Sequence, residues 1–409
     1  MNNFLTLYIY ELKKILQRKI VWITMGTLIA LSVFMGIAEP LSSTYSVTTG
    51  ETTVQMSGFE YLTYKKENAQ TLDGQKVDDG LLEKVAEAYQ RRHVLEEEGG
   101  VAITDEFVEG QIQKQEQYEA IYNYVYYIMQ DYEAIHGIDA DTLYQTRNDN
   151  LQYEWNAQLL SEGEKEYWLE KESEIEQPYT YAYAGGWERA LVEILSLNFM
   201  IFLAIAICLA NVFSEEHLRK TDQLILCSKY GKRNLFYSKI AAGVTFGLGS
   251  GVVLILAALI TTLCAYGAEG FDVAVQLYLP LCSWNLTMGQ AALLMSLLCV
   301  IASIFYSIIA MFLSEAIKNG IAVMGIMTGS LIFTMMVEVP YRFRVLSQIY
   351  GLLPTVLTKV WQLWDDRLVK IGNVYLTNFQ IAPIIYMIIS ILLIVWGNRI
   401  YRNYQVSGR

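Results

Sequence analysis

Charge is scarce in this chain. Only 18% of its 409 residues are Asp, Glu, Lys or Arg and 53% are apolar, whereas soluble domains carry about 25% charge. That balance argues against a disordered chain and against an ordinary soluble enzyme. Bases are the scarcer sign, 30 against 42 acids for a net charge of −12; a nucleic-acid binder needs a basic face, so no nucleic-acid partner is expected. Proline is rare, six residues, and the 28 glycines are scattered, so there is no low-complexity tract. The five cysteines, Cys208, Cys227, Cys264, Cys282 and Cys299, all lie outside residues 39–189. That segment is therefore not a disulfide-stapled module and must hold itself by packing. His93, His136 and His217 are scattered, and no Cys/His cluster has metal-ligand spacing.

Catalytic motifs are missing as well. There is no GxxxxGK[ST] loop to cradle phosphates, no HExxH, no GxSxG and no paired aspartates within an apolar run. No catalytic residue, metal or cofactor is expected on this chain. GLGSG at 247–251 resembles half of a dinucleotide fingerprint, but it lies inside an apolar run with no preceding strand. Gly243, Gly247 and Gly251 instead fall at i, i+4 and i+8, a small-residue face that lets helices approach closely.

What is present divides sharply. Residues 39–189 hold 31 acids and 11 bases, a net −20, and the remainder is +8. Six long apolar runs lie outside that segment, at 20–38, 190–212, 240–266, 286–313, 320–339 and 381–397, with no Lys or Arg and only Glu193 and Glu338 near run ends. About 20 helical residues cross a hydrocarbon core of about 30 Å, and bare backbone is not tolerated in lipid. Six transmembrane helices are expected. With both termini cytoplasmic, the inner segments carry 14 bases in 64 residues and the outer ones 16 in 211, as the positive-inside rule asks. The first run, about 19 apolar residues long, reads as a retained span rather than a cleaved signal. Before it, FLTLYIYELKKILQRK is amphipathic and is expected to lie on the inner membrane surface, with Lys13, Lys14, Arg18 and Lys19 facing anionic headgroups.

The acidic segment reads as mostly helical over 59–98, 106–135 and 150–176, after a Ser/Thr-rich start expected to be extended or a loop. Tyr118, Tyr122, Tyr126 and Met129 share one helix face. That face is either a helix–helix seam or an aromatic surface for a peptide or lipid. Breaks fall at Asp73-Gly74, Gly99-Gly100, His136-Gly137 and Gly185-Gly186, the last followed by Trp187 at interface height. The outer segment 340–380, with Pro354, Trp361 and Trp364, reads as short helices at the outer leaflet, or as a plain loop.

The loop after the second run, NVFSEEHLRKTDQLILCSKYGKRNLFYSKIAAG, is the richest piece. Ser214, Glu215 and Glu216 come first. A short amphipathic helix follows, with Leu224, Ile225 and Leu226 apolar and Thr221, Asp222 and Gln223 polar. SKYGKRN then turns at Gly231, and Lys239 opens the next run. A helix parallel to the membrane and bracketed by charge can be gripped by a cytosolic partner.

In these residues the chain resembles the permease subunits of ABC type-2 exporters. Glu216, Thr221, Leu226, Ser228, Gly231, Arg233 and Lys239 match that family's loop in order, while Lys220 stands where Gly is usual and Lys229-Tyr230 replaces a small-Pro element. YGLLPT at 350–355 and WGNRIYRNYQV at 396–406 resemble its outer short helices and its ending. The resemblance covers residues 1–38 and 190–409, in versions with a large outside domain between the first two spans, common in Gram-positive bacteria. It implies an all-α polytopic membrane protein of the bacterial plasma membrane. Residues 1–38 would be an inner amphipathic helix and first span, 39–189 an acidic extracellular helical domain, and 190–409 a five-span body. Glu215, Glu216, Thr221, Leu224, Leu226, Ser228, Gly231, Arg233 and Lys239 would couple it to a separate ATP-binding subunit, which holds ATP and Mg. A second permease chain, identical or paralogous, would complete the pore. The substrate would be a peptide or an amphipathic lipid-like molecule; the −20 segment would draw a cationic one, or serve only as a solubilising surface. A membrane sensor or scaffold binding an external ligand is the rival reading. A channel or secondary transporter would place ionisable groups in mid-membrane, and the runs hold none there.

Overall fold

The apolar runs fold into helices whose lengths follow from the absence of charge within them. The computed structural model describes residues 3–49, 52–97, 105–131, 133–218 and 233–403. In chain order the elements are α1 (Asn3–Leu16), α2 (Lys19–Ser42), β1 (Thr44–Thr49), β2 (Thr52–Ser57), α3 (Gly58–Gln70), α4 (Asp79–Glu97), α5 (Asp105–Met129), α6 (Ala140–Ala157), α7 (Glu162–Ser173), α8 (Gly185–Leu209), α9 (Ser214–Leu218), α10 (Asn234–Tyr266), α11 (Met288–Ile317), α12 (Gly320–Met336), α13 (Arg344–Gly351), α14 (Pro354–Leu357), β3 (Leu368–Ile371), β4 (Val374–Thr377) and α15 (Asn378–Asn403).

Five of the six runs give helices long and apolar enough to cross a membrane: α2, α8 continued through α9, α10, α11 and α15. The run at 320–339 gives only α12, 17 residues. At 1.5 Å per residue that is about 25 Å, short of a typical hydrocarbon core. Lys318 in the left-handed region ends α11, and the Asn319 side chain accepts from the amides of Ile321 and Ala322 to start α12. The two cap residues, Lys318 and Asn319, are thus the whole connection between the two helices. Within the bundle α8 and α11 are mostly buried, while α2, α10 and α15 turn apolar faces outward. Ile388, Leu392, Val395 and Trp396 of α15 are all more than half exposed, which suits contact with lipid or another apolar surface.

The glycine face of α10 meets α11. A β-carbon at Gly247 would sit 1.9 Å from Ser307 Oγ, at Gly243 2.8 Å from Met311 Sδ, and at Gly251 2.9 Å from Ser303 Oγ. Ser303 Oγ also donates to the Gly247 carbonyl at 3.1 Å. Bulk at this contact must push the helices apart. Gly247→Val is expected to cost about 1–3 kcal/mol, read as a lower thermal midpoint in detergent, whereas Gly249→Ala, with open space around its Cα, should leave it unchanged.

Residues 44–184 form a helical unit at the end of the bundle remote from α1. The Ser/Thr-rich start is a β-hairpin, with Thr44 opposite Ser57 and Thr49 opposite Thr52, and Ser57 and Glu60 close a capping box that starts α3. The expected break at Gly74 has φ +84° and that at Gly137 φ +98°. Gly185-Gly186, expected as a break, instead begins α8. The tyrosine face of α5 is a packing seam: Tyr118 is buried and Tyr122 stacks on Tyr89 of α4 with centroids 3.7 Å apart. Its centre lies one position round from the tyrosine stripe, on Ile121, Val125 and Ile128, each at most 1% exposed.

This unit docks on the loops at the same end of the bundle. Segment 340–380 contains the expected short helices, and also the β3–β4 hairpin. Trp155 of α6 donates Nε1 to Asp366 Oδ2 at 3.0 Å, Trp168 of α7 donates to the Asp366 carbonyl at 2.5 Å, and Glu164 accepts from the Leu368 amide at 2.8 Å. Burial raises the Asp366 carboxyl well above its usual range; Ser283 and Trp155 oppose the rise, while Asp365 and Glu172 add to it. The folded protein then keeps a proton that the unfolded chain releases above about pH 4. Asp366 therefore makes stability fall as pH rises from there, levelling once the folded group ionises. Asp366→Asn removes that dependence. Its thermal midpoint should match the parent at pH 4 and equal or exceed it at pH 8, and a midpoint that drops only at pH 8 would contradict this.

Candidate functional site

The loop singled out in the sequence leaves the bundle after α8 and returns at α10. Thr221, Leu224, Leu226, Ser228 and Gly231 lie outside the described residues. Glu215, Glu216, Arg233 and Lys239 are described, and three of the four are engaged in ion pairs.

Lys239, on the second turn of α10, is fully buried. Its Nζ lies 2.7 Å from Glu216 Oε1 on α9 and 3.5 Å from Glu11 Oε2 on α1. It also donates to the Val212 carbonyl at 3.2 Å and sits 5.1 Å from the Phe213 ring centroid. Lys14 of α1 reaches the same Glu216 oxygen at 2.7 Å and Glu11 at 3.9 Å. One helical turn further along, Arg18 meets Glu215 at 2.6 Å. Two acids and two bases alternate at the centre, so each charge taken from water faces an opposite one.

This geometry corrects one expectation. Lys14 and Arg18 do not face outward as headgroup ligands; they are tied to Glu216 and Glu215, while Lys13 and Lys19 remain exposed. The chain is extended at Arg18 (φ −72°, ψ 127°), which bends α1 back so that it lies along α10. There Tyr8 Oη and Thr245 Oγ1 are 3.0 Å apart. The outward face of α1 is apolar, with Leu5, Ile9 and Tyr10 more than half exposed, which suits contact with a membrane surface or another apolar surface. Glu216 and Lys239, expected among the coupling residues, are buried. They brace the two ends of the loop from inside, and of the expected loop residues that are described only Arg233 is exposed.

The loop's departure point is pinned a second way. The Phe213 amide donates to Ser314 Oγ of α11 at 3.1 Å, and Ser314 donates to the Ala210 carbonyl at 2.7 Å. A β-carbon at Gly320 would overlap Asn211 Oδ1 at 1.5 Å. Through these contacts α1, α8, α9, α10, α11 and the start of α12 meet in one clamp. Among the described residues it has no nucleophile–base pair or metal-ligand set; what it can do is transmit force applied at the loop to several helices at once. Glu11 was not singled out from sequence. The available signal was its position, the lone acid of a basic helix, seven positions before Arg18 and on the face shared with Tyr8 and Ile15. Comparison of the chain with protein-family models, with curated proteins and with solved structures finds no match.

Proposed function

We propose that this chain is the membrane-spanning permease subunit of an ATP-binding-cassette exporter. It would move a peptide or an amphipathic lipid-like molecule across the plasma membrane, with ATP hydrolysed on a separate subunit that holds the nucleotide and Mg. The observation that carries the reading is the buried Lys239–Glu216–Glu11 cluster, which fastens both ends of the 213–239 loop to α1 and the bundle. A push on such a loop moves helices rather than only the loop, and rigid-body movement of helices is how a gate opens. The density of Lys and Arg in the loop, six in 27 residues, supports an inner location with both termini cytoplasmic. The acidic helical unit then stands outside. In this reading α12 is the sixth span, short but within the lower range for a crossing helix, and the outward apolar faces of α12 and α15 meet lipid and a second permease chain.

Arg233 is the residue with which to test it, because its exposed side chain can be changed without opening the buried cluster. Arg233→Glu should leave the thermal midpoint of the purified chain unchanged. It should lower the amount of ATP-binding subunit that co-purifies with the tagged chain from its native membrane about tenfold, the scale of a charge reversal at a docking surface. Equal recovery in parent and variant would remove Arg233 from the interface, and absence of any ATPase from the parent would remove the permease reading. The sensor reading is favoured by one feature, a cavity beneath the outer unit; a sensor would respond to its ligand with no ATPase bound.

A further inference from the structure

Where the outer unit meets the ends of α2, α8 and α10 there is a cavity of about 400 Å³, in the size range of small-molecule sites. Its wall is rich in tyrosine, and much of the hydroxyl capacity is already engaged. Tyr183 donates to the Tyr266 carbonyl at 3.0 Å, and Tyr278 accepts from the Ala184 amide at 3.0 Å and donates to the Ala182 carbonyl at 3.4 Å. What these side chains chiefly offer to an occupant is ring surface. One ring already carries a cation: the Arg189 guanidinium lies 5.8 Å from the Tyr266 centroid.

The charges of the wall do not cancel. Lys65 is paired with Glu119, and Arg189 with Glu39 at 3.0 Å and Glu193 at 3.2 Å. Glu188, on the first turn of α8, lines the cavity, and its carboxylate has no direct hydrogen-bond or ion-pair partner among the described residues, with Lys65 and Arg189 acting on it only from further off. An anion would find both bases already engaged and a carboxylate facing it. We propose that this cavity is a binding site for an organic cation, an ammonium or guanidinium group on an apolar or aromatic body, with Glu188 as its counter-ion. Tyr127 and Val192, 41% and 59% exposed, place the mouth between α5 and the outer end of α8, where an amphiphile at a membrane surface could enter. The site joins the outer unit to three bundle helices, so its occupant contacts both. The claim stands apart from the permease reading, because binding is measured on this chain alone.

The test uses the full chain in phosphatidylcholine nanodiscs, with 4-phenylbutylammonium as probe and 4-phenylbutanol and 4-phenylbutyrate as comparators, by calorimetric titration with empty discs subtracted. The ammonium should bind at least about tenfold more tightly than the alcohol, as expected for a charge-assisted contact in a partly dry site, and the carboxylate more weakly still. Glu188→Gln should bring the ammonium down to the affinity of the alcohol. Asn123→Trp, an exposed position of α5 on the cavity rim, should abolish binding of both by filling the space. Equal affinities for ammonium and alcohol, or undiminished ammonium binding to either variant, would overturn the proposal. Should Glu188→Gln fail to fold, the probe ranking and Asn123→Trp decide.

Discussion

Replacing Lys239 with Met is expected to cost about 3–5 kcal/mol of stability, the range for removing one partner of a buried ion pair. The reason is what the change leaves behind. Glu216 and Glu11 would face each other across the vacated position, with Lys14 the remaining cation of the cluster, 2.7 and 3.9 Å away. Lys14 is more exposed, 38% by side chain against zero for Lys239, so its attraction is better screened. The Val212 carbonyl would also lose its donor. Glu216→Gln should cost less, because Lys239 keeps Glu11 and an amide oxygen can still accept. The double change Lys239→Met with Glu216→Met should recover much of the loss, since replacing a buried pair with apolar groups of similar volume is often neutral. Thermal midpoints of the parent, Lys239→Met, Glu216→Met and the double variant in one detergent complete the cycle. A parent-like midpoint for Lys239→Met would mean that the cluster does not hold the bundle, and the idea of a braced loop would go with it.

The bundle was legible because long uncharged apolar runs obey so simple a rule. A stretch of about 20 residues without charge has few other fates, and the five long helices fall on five of the expected runs. Their ends were less legible. The helix α2 continues to Ser42 through Pro40, and α8 begins at Gly185 rather than after it, because packing against the outer unit extends helical order beyond the apolar stretch. One hairpin was missed, and the other was expected only as an extended stretch or a loop, for different reasons. The β3–β4 pair has a readable signal, LVKI-GN-VYLT, with Gly372 at φ +63° in a two-residue turn; the tryptophans and Pro354 nearby drew attention to short helices instead. The β1–β2 pair is rich in Ser and Thr and lacks strict alternation, so its pairing leaves no periodic trace; Tyr45 stacking against Tyr61 at 3.7 Å holds it to α3. At the candidate site Glu216 and Lys239 could be picked out 23 positions apart. Their meeting with Glu11 could not, because it depends on the bend at Arg18, and an extended residue between two helical stretches leaves no periodic trace. The docking residues Trp155, Trp168 and Asp366 were hidden likewise, since each is satisfied by a partner more than 100 positions away.

Arg147 carries the second large effect, at the opposite end of the bundle. It is fully buried on α6 and reaches three partners with one planar group. Its Nε donates to the Pro280 carbonyl at 2.7 Å, Nη2 donates to the Cys282 carbonyl at 3.3 Å, and Nη1 pairs with Glu172 of α7. Arg147→Met should cost about 3–5 kcal/mol, because the largely buried Glu172 carboxylate and the Pro280 carbonyl lose their donor together, while the Cys282 carbonyl keeps only Gln276 Nε2 at 3.2 Å. Arg147→Lys should recover only a minority of that, since a single ammonium cannot reproduce the rigid fork that spans both carbonyls and the acid. The loss should also be local. Loop 275–284 carries the two carbonyls, so hydrogen exchange at its amides should speed up before any change appears in α10 or α11, where the clamp around Lys239 is untouched. Lys239→Met should give the reverse order, with α1 and the start of α10 opening first. If instead both variants loosen the outer loop and the clamp together, the two ends are one cooperative unit. A ligand held beneath the outer domain and a partner gripping the loop would then be coupled through the stability of the whole chain, and no hinge between them would be needed.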